Sequence, residues 1–254
     1  MKDDACTSIL VGKKAAMDGN NLIARNDDTF SPLNQQKFVV NPAVHGEKGR
    51  KIKSWLNKFE MDLPEDAYRY PAVPNVDYKK YGYYEESGIN EKNVAMSATE
   101  STYGNERTLA FDPLVVDGLD EDCMVNVVLP YIDSARGGVK RLGALIAKYG
   151  AAAGNSVLFS DKDEIWYMEI VTGHHWVAQR IPDDAYAIAA NRAPSRKLTL
   201  LVMTSCGVKE SRTLLLITSS TLTWKAGTSA ISSAPSLNRT ATTTLPGSGT
   251  GKRS

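Results

Sequence analysis

The chain has 254 residues, of which 42% are hydrophobic, and its 30 basic and 29 acidic side chains give a net charge of +1. This length provides for one large domain or two small ones, and the near-neutral balance excludes a nucleic-acid binder or an acidic disordered chain. No apolar run reaches the about 18 residues of a membrane-spanning helix, and the acidic start differs from a signal peptide. Three scattered cysteines without metal or redox spacing favour a reducing, cytoplasmic compartment.

The average charge conceals two unlike segments. Residues 1–194 carry 28 acidic and 22 basic side chains, a net charge of −6. Residues 195–254 carry one acidic and eight basic side chains, a net charge of +7, and are rich in serine and threonine. The near-zero charge is therefore a cancellation between two parts of the chain.

The first 28 residues predict a β-hairpin. Residues 7–11 and 22–26 are apolar enough for two strands, and Asp18-Gly19-Asn20 between them is typical of a tight turn. Because the two strands would pair antiparallel, Cys6 and Arg25 are expected at the same end of the ribbon.

Helical spacing of apolar residues appears at about 120–149, after an acidic first turn and with Pro130 as a kink or an end. Gly150 is expected to end the second helix. Short strands are predicted at 37–40, 93–99, 156–159, 164–171, 175–181 and 186–190. This order of strands, helices and strands predicts an α+β fold with antiparallel sheets covered by helices.

Cys6 is the first candidate for chemistry. A thiolate nucleophile needs a base or a positive neighbour, and no histidine lies near Cys6 in sequence. Cleavage between Ala5 and Cys6 would free an α-amine with a pKa of about 7.7–8.0 that could act as the base. Arg25 on the paired strand would supply positive charge. The alternative is that Cys6 is a small buried apolar residue.

The segment ACTSILVGKKAAMDGNNLIARNDD at residues 5–28 resembles the start of the dipeptidase A family of N-terminal-nucleophile cysteine hydrolases, relatives of penicillin V acylases and bile salt hydrolases. The segments KNVAMSATES at 92–101, SARGGVKRLGALIAKYG at 134–150 and DEIWYMEIVTGHHWVAQRIPDDAYAIAAN at 163–191 extend the resemblance over about residues 1–192.

The resemblance implies an αββα sandwich and a self-cleaved precursor with a short propeptide, residues 1–5. Cys6 matches the nucleophile and Arg25 its positive neighbour, while Asp28 matches the carboxylate that binds the new α-amine. Asn191 matches a side-chain donor to the tetrahedral oxyanion, a contribution typically of about 3 kcal/mol.

Four other features receive a less specific interpretation. Glu100 stands where relatives place an asparagine that is a second donor to the oxyanion. Because a carboxylate would oppose an oxyanion, two interpretations of Glu100 stay open: a contact with a substrate amine, or a solvated turn. His174 and His175 are predicted within one strand, so their side chains should point to opposite faces and share no metal. The basic cluster Lys48, Arg50, Lys51 and Lys53 is interpreted as a solvated face, and Cys123 as part of the core.

Residues 193–254 do not resemble the family. When residues 226–252 are back-translated with permissible codons and shifted by two nucleotides, they can yield aromatic-rich strings similar to the continuing dipeptidase sequence. We therefore expect translation to leave the frame near Arg192-Ala193, with 6–192 as a partial hydrolase domain and 193–254 as an out-of-frame, disordered tail. Removal of later strands and helices would leave apolar faces uncovered and edge strands unpaired.

The sequence thus predicts a cysteine-type dipeptidase that acts on small peptides and is impaired by truncation. Two alternatives stay open: an inactive frameshifted fragment, and an amidase of the penicillin V acylase or bile salt hydrolase type. No cofactor, nucleic acid or membrane partner is expected, and a homo-oligomer is open to the intact family member.

Overall fold

The fold is described from a computed structural model of the chain, which describes residues 6–27 and 35–190 and the strand at 222–226. The strands are β1 (Thr7–Val11), β2 (Leu22–Arg25), β3 (Val39–Asn41), β4 (Lys51–Lys53), β5 (Glu60–Asp62), β6 (Tyr70–Ala72), β7 (Ser87–Ile89), β8 (Ala95–Thr99), β9 (Asn155–Ser160), β10 (Ile165–Ile170), β11 (Trp176–Ile181), β12 (Ala185–Ala190) and β13 (Leu222–Ala226). The helices are α1 (Tyr78–Tyr81), α2 (Glu106–Phe111), α3 (Glu121–Val128) and α4 (Ala135–Tyr149), with a 3-10 turn at Leu129–Tyr131.

The strands form two main antiparallel sheets. Among the described residues, the larger sheet has seven strands in the order β11-β10-β9-β8-β7-β6-β3, and the smaller has four in the order β13-β12-β1-β2. Strands β4 and β5 form a separate hairpin. The predicted β1–β2 ribbon is confirmed, with Ser8 opposite Arg25, and β1 also pairs with β12, where Thr7 lies opposite Ala190.

Alternating side chains of the larger sheet divide the core into two layers. Val157, Phe159 and Met168 belong to the cluster shared with the helices. Leu158 and Tyr167, one residue away on the same strands, belong to the cluster shared with Leu10 and other residues of the smaller sheet. The period of two thus places one sheet face against helices and the other against the second sheet, and the predicted α+β class is confirmed.

The two long helices pack on the larger sheet. Asp120 caps α3 by accepting a hydrogen bond from the Glu121 backbone N–H at 2.8 Å, and the predicted acidic first turn is present. The Ser134 hydroxyl caps α4 by accepting from the Gly137 N–H at 3.2 Å. Helix α4 ends at Gly150, whose φ of +76° is the left-handed conformation that favours glycine. The predicted break around Pro130 and stop at Gly150 are confirmed.

The smaller sheet presents apolar side chains on the face that points away from the larger sheet. Ile9 lies between Ala24 and Ile188 in register, and Val11 lies opposite Leu22. Leu22 is 46% exposed and Ile188 is 39% exposed. Part of this apolar face is therefore in contact with solvent. No helix within the described part of the chain is long and apolar enough to cross a membrane.

One prediction about local structure needs correction. His174 and His175 lie in the bend before β11, and both side chains reach Asp112 instead of pointing to opposite faces of a strand. The alternation rule fails there because the strand begins only at Trp176. Within residues 193–254 the structure describes Leu222–Ala226, which form β13 and pair antiparallel with β12.

Candidate active site

The end of the β1–β2 ribbon brings Cys6 and Arg25 together. Cys6 immediately precedes β1 and is 8% exposed, while Arg25 is the last residue of β2. Asn26 closes the ribbon: its side-chain oxygen accepts from the Thr7 N–H at 2.5 Å, and its own N–H donates to the Thr7 carbonyl at 3.1 Å. Nη1 of Arg25 consequently lies 3.5 Å from Sγ of Cys6.

The guanidinium of Arg25 is held from the opposite sheet. Its Nε donates to the hydroxyl of Ser97 on β8 at 3.2 Å, and its Nη2 donates to Oε2 of Glu86, the residue before β7. The side chains of Arg25 and Glu86 are only 8% and 13% exposed. Although burial opposes the charge, the ion pair with Glu86 outweighs it and raises the pKa of Arg25 above its usual range.

A small polar cavity surrounds the sulfur. It has a volume of about 90 Å³ and is lined by one thiol, one guanidinium, four carboxyl groups and the side chains of two tyrosines and a threonine: Cys6, Arg25, Asp27, Glu86, Glu100, Glu121, Tyr84, Tyr103 and Thr99. Oδ1 of Asp27 lies 4.0 Å from the sulfur. The sulfur of Cys6 is thus placed among groups that can exchange protons and bind polar molecules.

Glu121 is the most buried carboxyl of this cavity. It is 5% exposed, and its Oε2 accepts hydrogen bonds from the Tyr84 hydroxyl at 3.0 Å and from the Glu100 N–H at 3.1 Å. Burial, followed by the negative charge of Glu86, raises the pKa of Glu121 to about 8. Glu121 therefore holds a proton at neutral pH although it lines the same cavity as the Cys6 thiol.

A larger cavity of about 360 Å³ shares Arg25 and Asp27 with the polar one. Its walls come from β2 on one side and from β6, β7 and β8 on the other, with Ile23, Phe38, Ile89 and Met96 among the apolar side chains that line it. The space between the sheets thus changes from polar at Cys6 to largely apolar beyond Arg25.

Of the site residues predicted from the sequence, the structure describes Cys6 and Arg25. Ala5, Asp28 and Asn191 lie outside the described residues. Their chain neighbours are described: Asp27 lines the cavity, and Ala190 is paired with Thr7. The turn at Glu100 contributes to the cavity wall, so this residue does lie at the candidate site.

Sequence reasoning missed Glu86, Ser97 and Glu121. Ser97 belongs to the quoted segment AMSATES but has no polar neighbour in sequence that would single it out. Glu86 follows another glutamate in a tyrosine-rich stretch, and Glu121 is one of three consecutive acids at a helix start. Such acids are usually solvated or capping, and only the contact between the two sheets and α3 brings them to Cys6.

A second polar cluster lies away from the cavity. Oδ1 of Asp112 is 2.9 Å from Nδ1 of His174, and Oδ2 is 2.7 Å from Nδ1 of His175 and from the Thr172 hydroxyl. These contacts tie the end of α2 to the bend before β11. Within the part of the chain that the structure describes, no group of three or more His, Cys, Asp or Glu residues is arranged to hold a metal ion.

Comparison with known proteins gives a family match over most of the chain. Residues 5–208 match the sequence profile of peptidase family C69. A probable dipeptidase from Latilactobacillus sakei is 55% identical over 188 residues, which cover 74% of this chain and 39% of that protein. Dipeptidase A from Lactobacillus helveticus is 46% identical over 196 residues, which cover 76% of this chain and 41% of the relative. The chain therefore spans about two fifths of the length of these relatives.

Solved structures give a more distant match. A mutant of the conjugated bile acid hydrolase from Clostridium perfringens superposes with a TM-score of 0.42 and 17% identity, over 70% of this chain and 51% of the other.

Proposed function

Because the chain belongs to peptidase family C69, we propose that it is a cysteine-type dipeptidase whose nucleophile is Cys6. The observation that carries the proposal is the 3.5 Å approach of Arg25 Nη1 to Cys6 Sγ in a cavity between two sheets. A guanidinium at that distance stabilises the thiolate, which is the nucleophilic form of cysteine.

In this mechanism the chain first loses residues 1–5, which frees the α-amine of Cys6. The amine takes the thiol proton, since its usual pKa of about 7.7–8.0 suits a base at neutral pH. Asp28 binds the resulting ammonium group. Asp27, the residue before it, already lies 4.0 Å from Sγ, which supports a carboxylate role for this segment.

The thiolate then attacks the peptide carbonyl, and the carbonyl oxygen becomes an oxyanion that the Asn191 amide stabilises. Collapse of the tetrahedral intermediate breaks the C–N bond, and the amine leaves with the proton taken from Cys6. Water hydrolyses the thioester and regenerates the thiol. The pairing of Ala190 with Thr7 supports the placement of Asn191, because it brings the end of β12 beside the start of β1.

The relatives that match are called dipeptidases, which supports a small peptide as the substrate. Cys6 has to stay a free thiol, which requires a reducing compartment. A cytoplasmic location is therefore part of the proposal. Cys6 and Cys123 are both free thiols.

Intact mass and hydrolysis together test the proposal. We expect the purified chain to lack residues 1–5 and to hydrolyse members of a dipeptide panel. Cys6→Ala should retain residues 1–5 and show no turnover, whereas Cys123→Ala, at a buried thiol of the helical core, should process and turn over normally.

The two alternatives predict different results in the same assay. An inert fragment retains residues 1–5 and hydrolyses nothing; the exposed apolar face of the smaller sheet favours this second candidate. An amidase would cleave penicillin V or conjugated bile salts and leave the dipeptides intact. Activity of Cys6→Ala equal to that of the parent chain would overturn the assignment of the nucleophile.

A further inference from the structure

Glu86 contacts Arg25 and has no role in the proposed hydrolysis. It lies in the cavity wall, and its carboxylate binds Nη2 of Arg25. Its own backbone is fixed, because the Glu86 carbonyl accepts a 2.9 Å hydrogen bond from the N–H of Ala98 on β8. Glu86 is therefore a rigid element of the larger sheet that reaches a side chain of the smaller one.

The orientation of Arg25 depends on contacts from that opposite sheet. An arginine side chain has about 2 kcal/mol of rotamer entropy, and β2 by itself fixes only its first carbon atoms. Ser97 holds Nε at 3.2 Å and Glu86 holds Nη2, which together fix the plane of the guanidinium. The remaining nitrogen, Nη1, then faces Sγ of Cys6 at 3.5 Å.

We propose that Glu86 is a positioning residue that, by binding Nη2 of Arg25, keeps Nη1 directed at the sulfur of Cys6. The negative charge of Glu86 cannot itself favour the thiolate of Cys6, since a carboxylate in the same cavity opposes formation of a thiolate. Position and charge thus make opposite predictions for substitutions at residue 86, and the two effects can be separated.

The test measures alkylation of Cys6 by iodoacetamide as a function of pH, with the modified peptide identified by mass spectrometry so that Cys123 and Cys206 are excluded. Four variants are compared with the parent chain: Glu86→Asp, Glu86→Gln, Arg25→Met, and the double variant with Glu86→Asp and Arg25→Met. Only molecules with the same N-terminus, determined from intact mass, enter the comparison.

Glu86→Asp retains the charge but withdraws the carboxylate by one methylene, so it should draw Nη1 away from the sulfur. We expect Glu86→Asp to slow alkylation at neutral pH severalfold. Arg25→Met, which removes the cation at this distance altogether, should slow it about tenfold. Glu86→Gln keeps an oxygen that accepts from Nη2 and loses the negative charge, so its alkylation should be at least as fast as in the parent chain. In the Arg25→Met background, Glu86→Asp should have no further effect.

A reversed order, with Glu86→Gln slower than the parent chain and Glu86→Asp equal to it, would overturn the proposal. So would an equal slowing by Glu86→Asp with and without Arg25, because Glu86 would then act on Cys6 by another route. The inference rests on the proposed function only for the choice of Cys6 as nucleophile. Alkylation requires no turnover, so a chain that hydrolyses no dipeptide would refute the proposed function while the order of the variants still decides the role of Glu86.

Discussion

The hydroxyl of Tyr84 donates a 3.0 Å hydrogen bond to Oε2 of Glu121, and the same oxygen accepts the Glu100 N–H at 3.1 Å. Tyr84 has a φ of +50°, a conformation that is uncommon for a bulky residue. The cavity that contains the Cys6 thiol is therefore lined by one protonated carboxyl and by a donor tyrosine with a strained backbone.

Glu121 should make stability fall as the pH rises. Its pKa is about 8 in the folded chain and about 4.3 when unfolded, so the folded state binds a proton that the unfolded state releases between these values. The stabilisation is complete below about pH 4 and is lost as the pH rises toward about 8, with a slope of at most about 1.4 kcal/mol per pH unit. Glu121→Gln should flatten the fall in melting temperature across this interval.

The exposed carboxyl of Glu47 provides the control for this measurement. Glu47→Gln should leave the difference in melting temperature between about pH 5 and about pH 8 unchanged. An identical pH dependence in the parent chain and in Glu121→Gln would show that Glu121 does not hold the proton.

Tyr84→Phe removes one of the two donors to Glu121 and should lower the free energy of unfolding by about 1 kcal/mol. The adjacent Tyr83 is the matched control because it is 38% exposed, although its hydroxyl contacts Asn41 at 3.4 Å and also interacts with Glu85. Tyr83→Phe should therefore change stability by less than about 0.5 kcal/mol. Urea denaturation of both variants checks the difference, and equal losses would contradict it.

Gly143→Ala should destabilise the chain although alanine is the better helix former. A Cβ at residue 143 would lie 2.2 Å from Cζ2 of Trp176 on β11, closer than the packing of α4 on the sheet allows. The clash should cost about 1–3 kcal/mol against a propensity gain of about 1 kcal/mol. Lys140→Ala, at an exposed position of the same helix, is the control and should be nearly neutral in thermal denaturation. A rise in melting temperature for Gly143→Ala would mean that Trp176 moves aside freely.

Asp112→Ala should detach the bend before β11 from α2 and lower the free energy of unfolding by about 1–3 kcal/mol. Burial would raise the pKa of Asp112, but hydrogen bonds from His174, Thr172 and His175 hold it well below its usual range. This stabilisation is therefore present above the ordinary aspartate pKa of about 3.9 and is lost as the pH falls below it. The denaturation midpoint of Asp112→Ala should lie below that of the parent chain at neutral pH, and the two midpoints should approach each other in acid.

The exposed pair of His45 and Asp66, whose side chains are 83% and 77% exposed, offers the control for Asp112. Asp66→Ala removes a similar ion pair from solvent and should change stability by less than about 0.5 kcal/mol. If both aspartate variants behaved alike, the cluster at Asp112 would have no structural role.

Local signals in the sequence account for much of the fold. The turn at Gly19, the helical spacing before Gly150 and the apolar segments that form β9 and β10 each depend on residues close in sequence, and each prediction is confirmed. The prediction for His174 and His175 is wrong because it extended a strand over a bend whose hydrogen bonds go to Asp112, some sixty residues earlier.

At the candidate site, too, some contacts can be predicted from residues close in sequence and others cannot. A ribbon with period two is enough to predict that Cys6 and Arg25 lie together, and they do. No local pattern identifies Glu86 or Glu121, since their function at the site depends on how the second sheet and α3 pack against the ribbon. Ser97 escapes notice for the same reason, because its contact with Arg25 crosses the space between the sheets.

The pairing of β1 with β12 affects how the protein is made. Thr7 needs Ala190 opposite it, so the strand behind Cys6 gains its second neighbour only after almost the whole matched region has been synthesised. Closing so long a loop is entropically unfavourable and slows folding. On the ribosome, Cys6 is therefore attached to an unfinished sheet until β12 has been synthesised, and the cleavage proposed between Ala5 and Cys6 would have to follow the arrival of β12.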